Sequence, residues 1–437
     1  MQNSVSQNAF WIILCKLAEA ILALFINMLT ARYLGPSKYG IIVYASSLVA
    51  FVLPIVQLGF NNVLVKEIID YPQEQGNILG STILFSSISS FFLMICVTGF
   101  AYISNKSNIE TTIVCFLYSF VLFFQSLNLI QYWYQAHLKS KITSIISLIA
   151  FVVVSAYKSI LLINFASIYL FAISNVLDYA IISCAQIFIC LWKNKITISF
   201  SYKLGLSILS RSYHYILSSL MVRVFAQTDK IMLNIMEGDS ATGIYGVALS
   251  SACLSSFVFA AIIDSFRPHV LDAQKTCERV FNFRLTCLYS IIIYFSLIQS
   301  ILTTIFSKYI ILILYGKDYI DSVIVLQISV WFTTFSYLGV VRNIWVLAKQ
   351  CQKILVPINS IGAIANILLN CILIPFYGVI GAAIASVFTQ FFTNVIVSYA
   401  FKDLKINNQL LLRCLRPKYF LMTFNHFFLS QLKIKFI

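Results

Sequence analysis

Twelve long stretches of this chain are apolar around their whole circumference, near 10 to 30, 40 to 61, 78 to 102, 111 to 134, 142 to 163, 165 to 191, 206 to 233, 241 to 264, 281 to 306, 322 to 347, 356 to 374 and 378 to 400. Polar residues gather in short gaps between them. A hydrocarbon core about 30 Å thick needs roughly 20 helical residues at 1.5 Å each, so most of these stretches are long enough to cross a bilayer. Barrel strands would alternate apolar and polar positions, which these runs do not. The pattern therefore predicts an all-α integral membrane protein of twelve transmembrane helices. The run from 142 to 191 would be about 75 Å long as one helix, so it must cross twice, with its weakest point at Asn164.

Composition excludes a water-soluble domain: 60% of residues are hydrophobic and only 10% charged, and the mean hydropathy is +0.89. Basic residues crowd the loops after even-numbered spans, with Lys66, Lys139, Lys141, Lys193, Lys195, Lys203, Arg267, Lys275, Arg279, Arg284, Lys349 and Lys353. Loops after odd-numbered spans hold only Arg32, Lys38, Lys106, Lys308 and Lys317, while the tail after 401 is basic again. Short cytoplasmic loops retain positive charge, so both termini are expected in the cytoplasm. The same bias supplies much of the net charge of +15, which reads as a solvated face near anionic lipid rather than a nucleic-acid surface. Met1 to Asn8 lacks the basic region of a cleavable signal, so the first apolar stretch is expected to stay as a span. The 11 cysteines are scattered, with no C-x-x-C pair and no His cluster, which supports neither a disulfide framework nor a metal site. No cofactor motif is present.

A short pattern repeats. Gly35-Pro36-Ser37-Lys38-Tyr39-Gly40-Ile41, between spans 1 and 2, and Gly238-Asp239-Ser240-Ala241-Thr242-Gly243-Ile244, between spans 7 and 8, share G-x-S-x-x-G-I. Ala136, Lys141 and Ile142 likewise match Ala348, Lys353 and Ile354. Spans 1 to 6 thus correspond to spans 7 to 12. The division expected is an N-terminal six-helix bundle over 1–200, a C-terminal one over 201–400 and a basic cytoplasmic tail over 401–437, the bundles related by a pseudo-two-fold along the membrane normal.

Candidate chemistry lies in charges placed where lipid penalises them. Lys16 and Glu19 lie in span 1, Lys158 in span 5, Asp178 in span 6, Arg211, Arg223 and Asp229 in span 7, Asp264 at the end of span 8 and Arg342 in span 10. A charge near the bilayer centre costs at least about 2.5 to 3.5 kcal/mol, so it survives when paired, wet or functional. Lys16 and Arg223 sit only about 5 to 6 Å from their span midpoints. Arg211 and Arg342 are within snorkelling reach of the cytoplasmic interface, and Lys158 within reach of the outer one. Glu19 is one turn from Lys16, which permits a local ion pair. Arg223 and Asp229 project about 120° apart and are not expected to pair with each other. Asp178 is protonated, paired across helices, or a proton or cation site. Lys16, Arg223, Arg342, Arg211 and Lys158 would together line a cavity for an anionic cargo, with Glu19, Asp178 and Asp229 left for charge pairing or ion coupling. Arginine suits phosphate because its planar fork binds two oxygens at once.

The run Ala31-Arg32-Tyr33-Leu34-Gly35-Pro36-Ser37-Lys38-Tyr39-Gly40, then Gln57-Leu58-Gly59-Phe60 and Leu64-Val65-Lys66-Glu67, resembles the opening of bacterial polysaccharide flippases of the Wzx type, in the multidrug/oligosaccharidyl-lipid/polysaccharide exporter superfamily. Gln131 to Ala136, Thr228 to Leu233 with Gly243-Ile244-Tyr245, and Asn366, Asn370 and Leu373 through Ala385 are similar to later segments of that family. The resemblance covers residues 8 to 400. It implies two bundles around a cavity open alternately to either side. It also implies an undecaprenyl-diphosphate-linked oligosaccharide as cargo, an O-antigen or capsule repeat unit, moved across the bacterial inner membrane. Cationic cavity residues would hold the diphosphate, and a polysaccharide polymerase and a chain-length regulator are the partners such a role suggests. Only Asp229 falls inside a family-like motif. The tail beyond 401 departs from the pattern and reads as an amphipathic surface helix or a partly inserted segment.

Two other readings compete. A cation-coupled drug or metabolite antiporter of the same superfamily would share twelve spans but centre on carboxylates. A polysaccharide polymerase, an enzyme, would need larger extramembrane loops, and no G-x-x-x-x-G-K-[ST], H-E-x-x-H or G-x-S-x-G occurs. No catalytic residue is assigned.

Overall fold

A computed structural model describes residues 2–105, 108–194 and 197–423, and among these there is no β-strand. The long helices are α1 (Gln2–Val56), α3 (Gln75–Ser104), α4 (Ile109–Leu127), α6 (Ser140–Ile163), α7 (Ile168–Asn194), α8 (Tyr202–Glu237), α9 (Asp239–Ala252), α10 (Ser256–Thr276), α11 (Glu278–Leu314), α12 (Ser322–Ala348) and α13 (Leu355–Phe391). Short helices α2 (Leu64–Asp70) and α5 (Gln131–Ala136) lie between them, and α14 (Lys405–Arg413) and α15 (Pro417–Thr423) follow.

Eight helices are long and apolar enough to cross a membrane, and α9 with α10, bent by 41°, makes a ninth. Two of the eight each hold two passes, because α1 breaks at Gly35 and α13 at Gly378. Helix α8, 36 residues long, is too polar to qualify by hydropathy but long enough to span. Twelve passes result among the described residues. The expected break near Asn164 is present: α6 stops at Ile163 and α7 starts at Ile168.

The sequence repeat has a backbone counterpart. Gly35 and Gly238 adopt nearly the same conformation, φ 71 and ψ 173 against φ 89 and ψ −173, a region open to glycine and strained for other residues. After the second repeat pair, the chain turns identically: Leu138 and Gln350 have φ 55 and 56. The amides of His137, Leu138 and Lys139 bond the carbonyls of Trp133, Gln135 and Tyr134, while those of Lys349, Gln350 and Cys351 bond Trp345, Leu347 and Val346. A third pair is visible only in the backbone, Phe165 at φ 51 and Gly378 at φ 53.

The chain divides into two compact units, Met1–Gly243 and Ile244–Ile437. In the first, α8 packs along α1, and the two glycine turns meet there. A Cβ on Gly40 would strike the backbone of Asp239, and one on Gly243 the carbonyl of Pro36. The shared glycine therefore permits a close crossing of the two repeat copies. A polar-to-aromatic cluster holds the loop ends, where Trp133 donates to Gln75 at 2.8 Å and Tyr134 to the Gln186 carbonyl at 2.7 Å. These bonds give the Gln131 to Ala136 segment a structural role. In the second unit, α14 and α15 cover α11. Leu404, Leu410, Leu411 and Cys414 are buried, and Tyr289 donates to Asn407 Oδ1 at 3.0 Å. The tail is therefore part of this core up to Cys414, α15 continues along α11, and the tail beyond residue 423 lies outside the described residues.

Candidate functional site

Helix α6 is apolar on nearly all sides, and Lys158 is its one charged residue beyond Lys141 in the first turn. Lys158 does not reach for an interface. It is 9% exposed and donates from Nζ to Asn175 Oδ1 at 3.0 Å. Asn175 is fixed in turn by a bond from Nδ2 to the Phe171 carbonyl at 3.1 Å. Both line a cavity of about 200 Å³ inside the first unit, whose walls also include Asn27, Thr30, Tyr39, Ser46 and Tyr118. Asn27 and Thr30, three residues apart on α1, share a face, and Asn175 of α7 lines the same space, which is how so apolar a bundle acquires a polar cavity.

Asp178 follows Asn175 by one turn on α7. It is close enough to act on the charge of Lys158, yet no ion pair joins them among the described residues, and its Oδ1 is buried without a hydrogen bond. Glu19 is half-buried on α1, within electrostatic reach of Asp178 and of Lys16. Lys16 itself is exposed, and the local Lys16 to Glu19 bridge that the spacing permits is not formed among the described residues. One unit thus gathers Lys158, Asp178 and Glu19 around α1, α6 and α7.

Arg211 is elsewhere. Its guanidinium meets Glu67 of α2 at 2.8 Å, with side-chain exposures of 44% and 8%, and it also donates to the Ser207 hydroxyl at 3.0 Å. The adjacent Ser212 donates to the Leu58 carbonyl at 2.8 Å, so α8 is tied to the 57–67 segment at two successive residues. Nothing in the sequence marks Glu67 as a partner of Arg211, because it lies between spans on the short helix α2, where a carboxylate is ordinary. Arg223, further along α8, is exposed and acts electrostatically on Tyr179, whereas Asp229 is buried. Asp264 is exposed and pairs with Arg267 at 3.4 Å.

Arg342 occupies the second unit, on α12. It is 4% exposed, and Nη1 donates to the Thr393 carbonyl at 3.3 Å. Thr393 belongs to a π-helical turn, Phe392–Ile396, which re-aims carbonyls away from the ordinary helical ladder. Nε has no partner, and no carboxylate pairs with this guanidinium among the described residues. A desolvated cation without a counter-charge is costly to hold, which makes an anion its natural complement. Among the described residues no cluster of His, Cys, Asp and Glu could hold a metal ion, and all described cysteines are free.

A family model described as "Polysaccharide biosynthesis protein" matches residues 5–268. No curated protein matches the sequence significantly. Among solved structures, the fold is similar to the lipid II flippase MurJ in an inward closed conformation, with a TM-score of 0.71 and 18% identity over 95% of this chain and 93% of that one. It is also similar to an inward-facing multidrug resistance MATE family transporter of the MOP superfamily, with a TM-score of 0.68 and 12% identity over 89% and 94%. A Vibrio cholerae MATE transporter follows, with a TM-score of 0.57 and 12% identity over 94% and 98%.

Proposed function

Because the chain belongs to the polysaccharide biosynthesis protein family, we propose that it is a flippase carrying a lipid-linked oligosaccharide across the bacterial inner membrane by alternating access. The cargo is an undecaprenyl-diphosphate-linked O-antigen or capsule repeat unit, taken from the cytoplasmic leaflet and released in the periplasmic one. Both termini lie in the cytoplasm, the repeat divides the chain near 200, and a polymerase and a chain-length regulator receive the product. The protein acts as a transporter and makes or breaks no covalent bond.

The observation that carries this reading is Arg342. A guanidinium 4% exposed and unpaired with any carboxylate among the described residues needs a negative partner, and a diphosphate offers one that arrives and leaves. Arg223 and Lys16, both exposed on their helices, are the further candidates for holding a diphosphate. Arg211 and Lys158 belong to the same cationic set, Arg211 with Glu67 already beside it. Glu19, Asp178 and Asp229 serve ion coupling or charge pairing. Proton or cation uptake at Asp178 would drive the cycle, since its buried Oδ1 lacks a hydrogen bond.

The test is a deletion strain complemented with variants. Loss of the protein is expected to leave lipid-linked repeat units on the cytoplasmic leaflet and abolish surface glycan. Arg342→Gln and Arg223→Ala are expected to reproduce that loss while membrane insertion stays normal. Normal export by both variants overturns the assignment of these residues. Export unaffected by deletion, with a drug or metabolite accumulating instead, overturns the flippase reading in favour of an antiporter.

A further inference from the structure

The cavity beside Lys158 is the wrong size for a diphosphate-linked glycan. Pockets for drug-sized ligands run to about 300 to 1,000 Å³, and this one holds about 200 Å³. Its chemistry is one-sided. Among the described residues, Lys158 is the single charged one on its walls, the polar remainder being amides and hydroxyls. With no carboxylate on the wall and an ammonium on it, the cavity repels a metal cation.

The hydrogen-bond inventory narrows the occupant further. Thr30 spends its hydroxyl proton on the Ile26 carbonyl at 2.7 Å, Ser46 on the Val43 carbonyl at 2.8 Å, and Asn175 one of its two amide protons on the Phe171 carbonyl. An ammonium carries three donors, and only one is engaged, by Asn175. Tyr118 and the exposed Asn27 add a hydroxyl and an amide at the same cavity, with Asn27 marking its mouth. Asp178, on α7, attracts Lys158 through space but neither lines the cavity nor pairs with it, and Glu19 lies farther out on α1. Helices α1 and α7, which both pack on α6, thus leave a buried cation on a small polar cavity with no direct counter-charge among the described residues. Such a cation is stabilised by a charge-assisted partner.

We propose that this cavity binds a small inorganic monovalent anion, chloride being the abundant one, held by the Lys158 ammonium with help from Tyr118 and Asn27. The anion neutralises Lys158 inside the first unit. The inference concerns occupancy of this cavity rather than cargo; where it holds, Lys158 leaves the cationic set proposed for the headgroup and the other members are unaffected.

Equilibrium binding of radiolabelled chloride to the purified full chain in detergent tests it. Saturable binding of one chloride per chain is expected, competed by bromide and not by gluconate. Lys158→Met is expected to weaken it by about tenfold or more, the worth of one charge-assisted hydrogen bond. Tyr118→Phe, which keeps the ring, is expected to weaken it less. As a measurement on the unaltered protein, crystals grown in bromide should show an anomalous peak next to Lys158 Nζ. No saturable chloride binding, binding unchanged in Lys158→Met, or a bromide peak only outside the cavity overturns the proposal. Loss of folding in Lys158→Met leaves Tyr118→Phe and the bromide map to decide.

Discussion

At the scale of single residues, charge within the membrane sorts by what each group can reach. Arg211 touches Glu67 at 2.8 Å, and because the arginine is nearly half exposed, water screens the pair and limits its worth to about 1 kcal/mol. Glu67→Gln and Arg211→Gln are each expected to lower thermal stability in detergent by about that amount, with the double variant no worse than either alone. Additive losses would show that the two side chains act separately. Arg342 differs, because its burial leaves it unscreened. Arg342→Lys keeps the charge but loses the planar fork, so export is expected to fall steeply while unfolding temperature changes little; full export by the lysine variant would mean that bulk charge suffices. Little of this contrast was legible in the sequence. Both arginines sit at similar depth in apolar spans, and what separates them is a carboxylate on the short helix α2 in one case and a π-helical turn in the other, partners that only packing brings close.

Elements record the repeat more faithfully than residue identities do. Gly40 and Gly243 lie where the start of α9 meets α1 so closely that any side chain strikes backbone, whereas Gly99 on α3 has open space around it. Gly40→Leu and Gly243→Leu are therefore expected to destabilise the protein by at least about 1 to 3 kcal/mol, the usual cost of overpacking. Gly99→Leu should be close to neutral, as read by the fraction recovered as monodisperse protein from membranes. Equal recovery of all three would remove the crossing as the reason for the shared glycines. The breaks themselves were readable wherever a turn residue or excess length exposed them: Gly35, Asn164 and Gly238 each end a span as expected. The direction in which Lys158 points was not readable. A helix apolar on every face gives no clue to which side meets lipid, and the answer came from Asn175, on the next helix.

For the whole molecule, hydropathy points to twelve passes, because lipid leaves the backbone only helices or closed barrels and these runs do not alternate, and the basic loops then predict an orientation. That orientation is open to a direct check at Cys277, which lies between α10 and α11 on the side assigned to the cytoplasm. Backbone amides of Val280 and Arg279 hold its exposed thiol below the ordinary cysteine range, so thiolate, the reacting form, persists at a lower pH than for a free cysteine. A charged maleimide that cannot cross membranes is expected to label inverted vesicles and leave intact spheroplasts unlabelled, with Cys277→Ser in a Cys351→Ser background removing the signal. The labelling rate should rise with pH and level off earlier than for a model thiol, since the lowered pKa completes ionisation sooner. Labelling from the outer face would invert every loop assignment at once. It would turn the basic face outward, and with it the direction in which a lipid-linked anionic cargo could be collected.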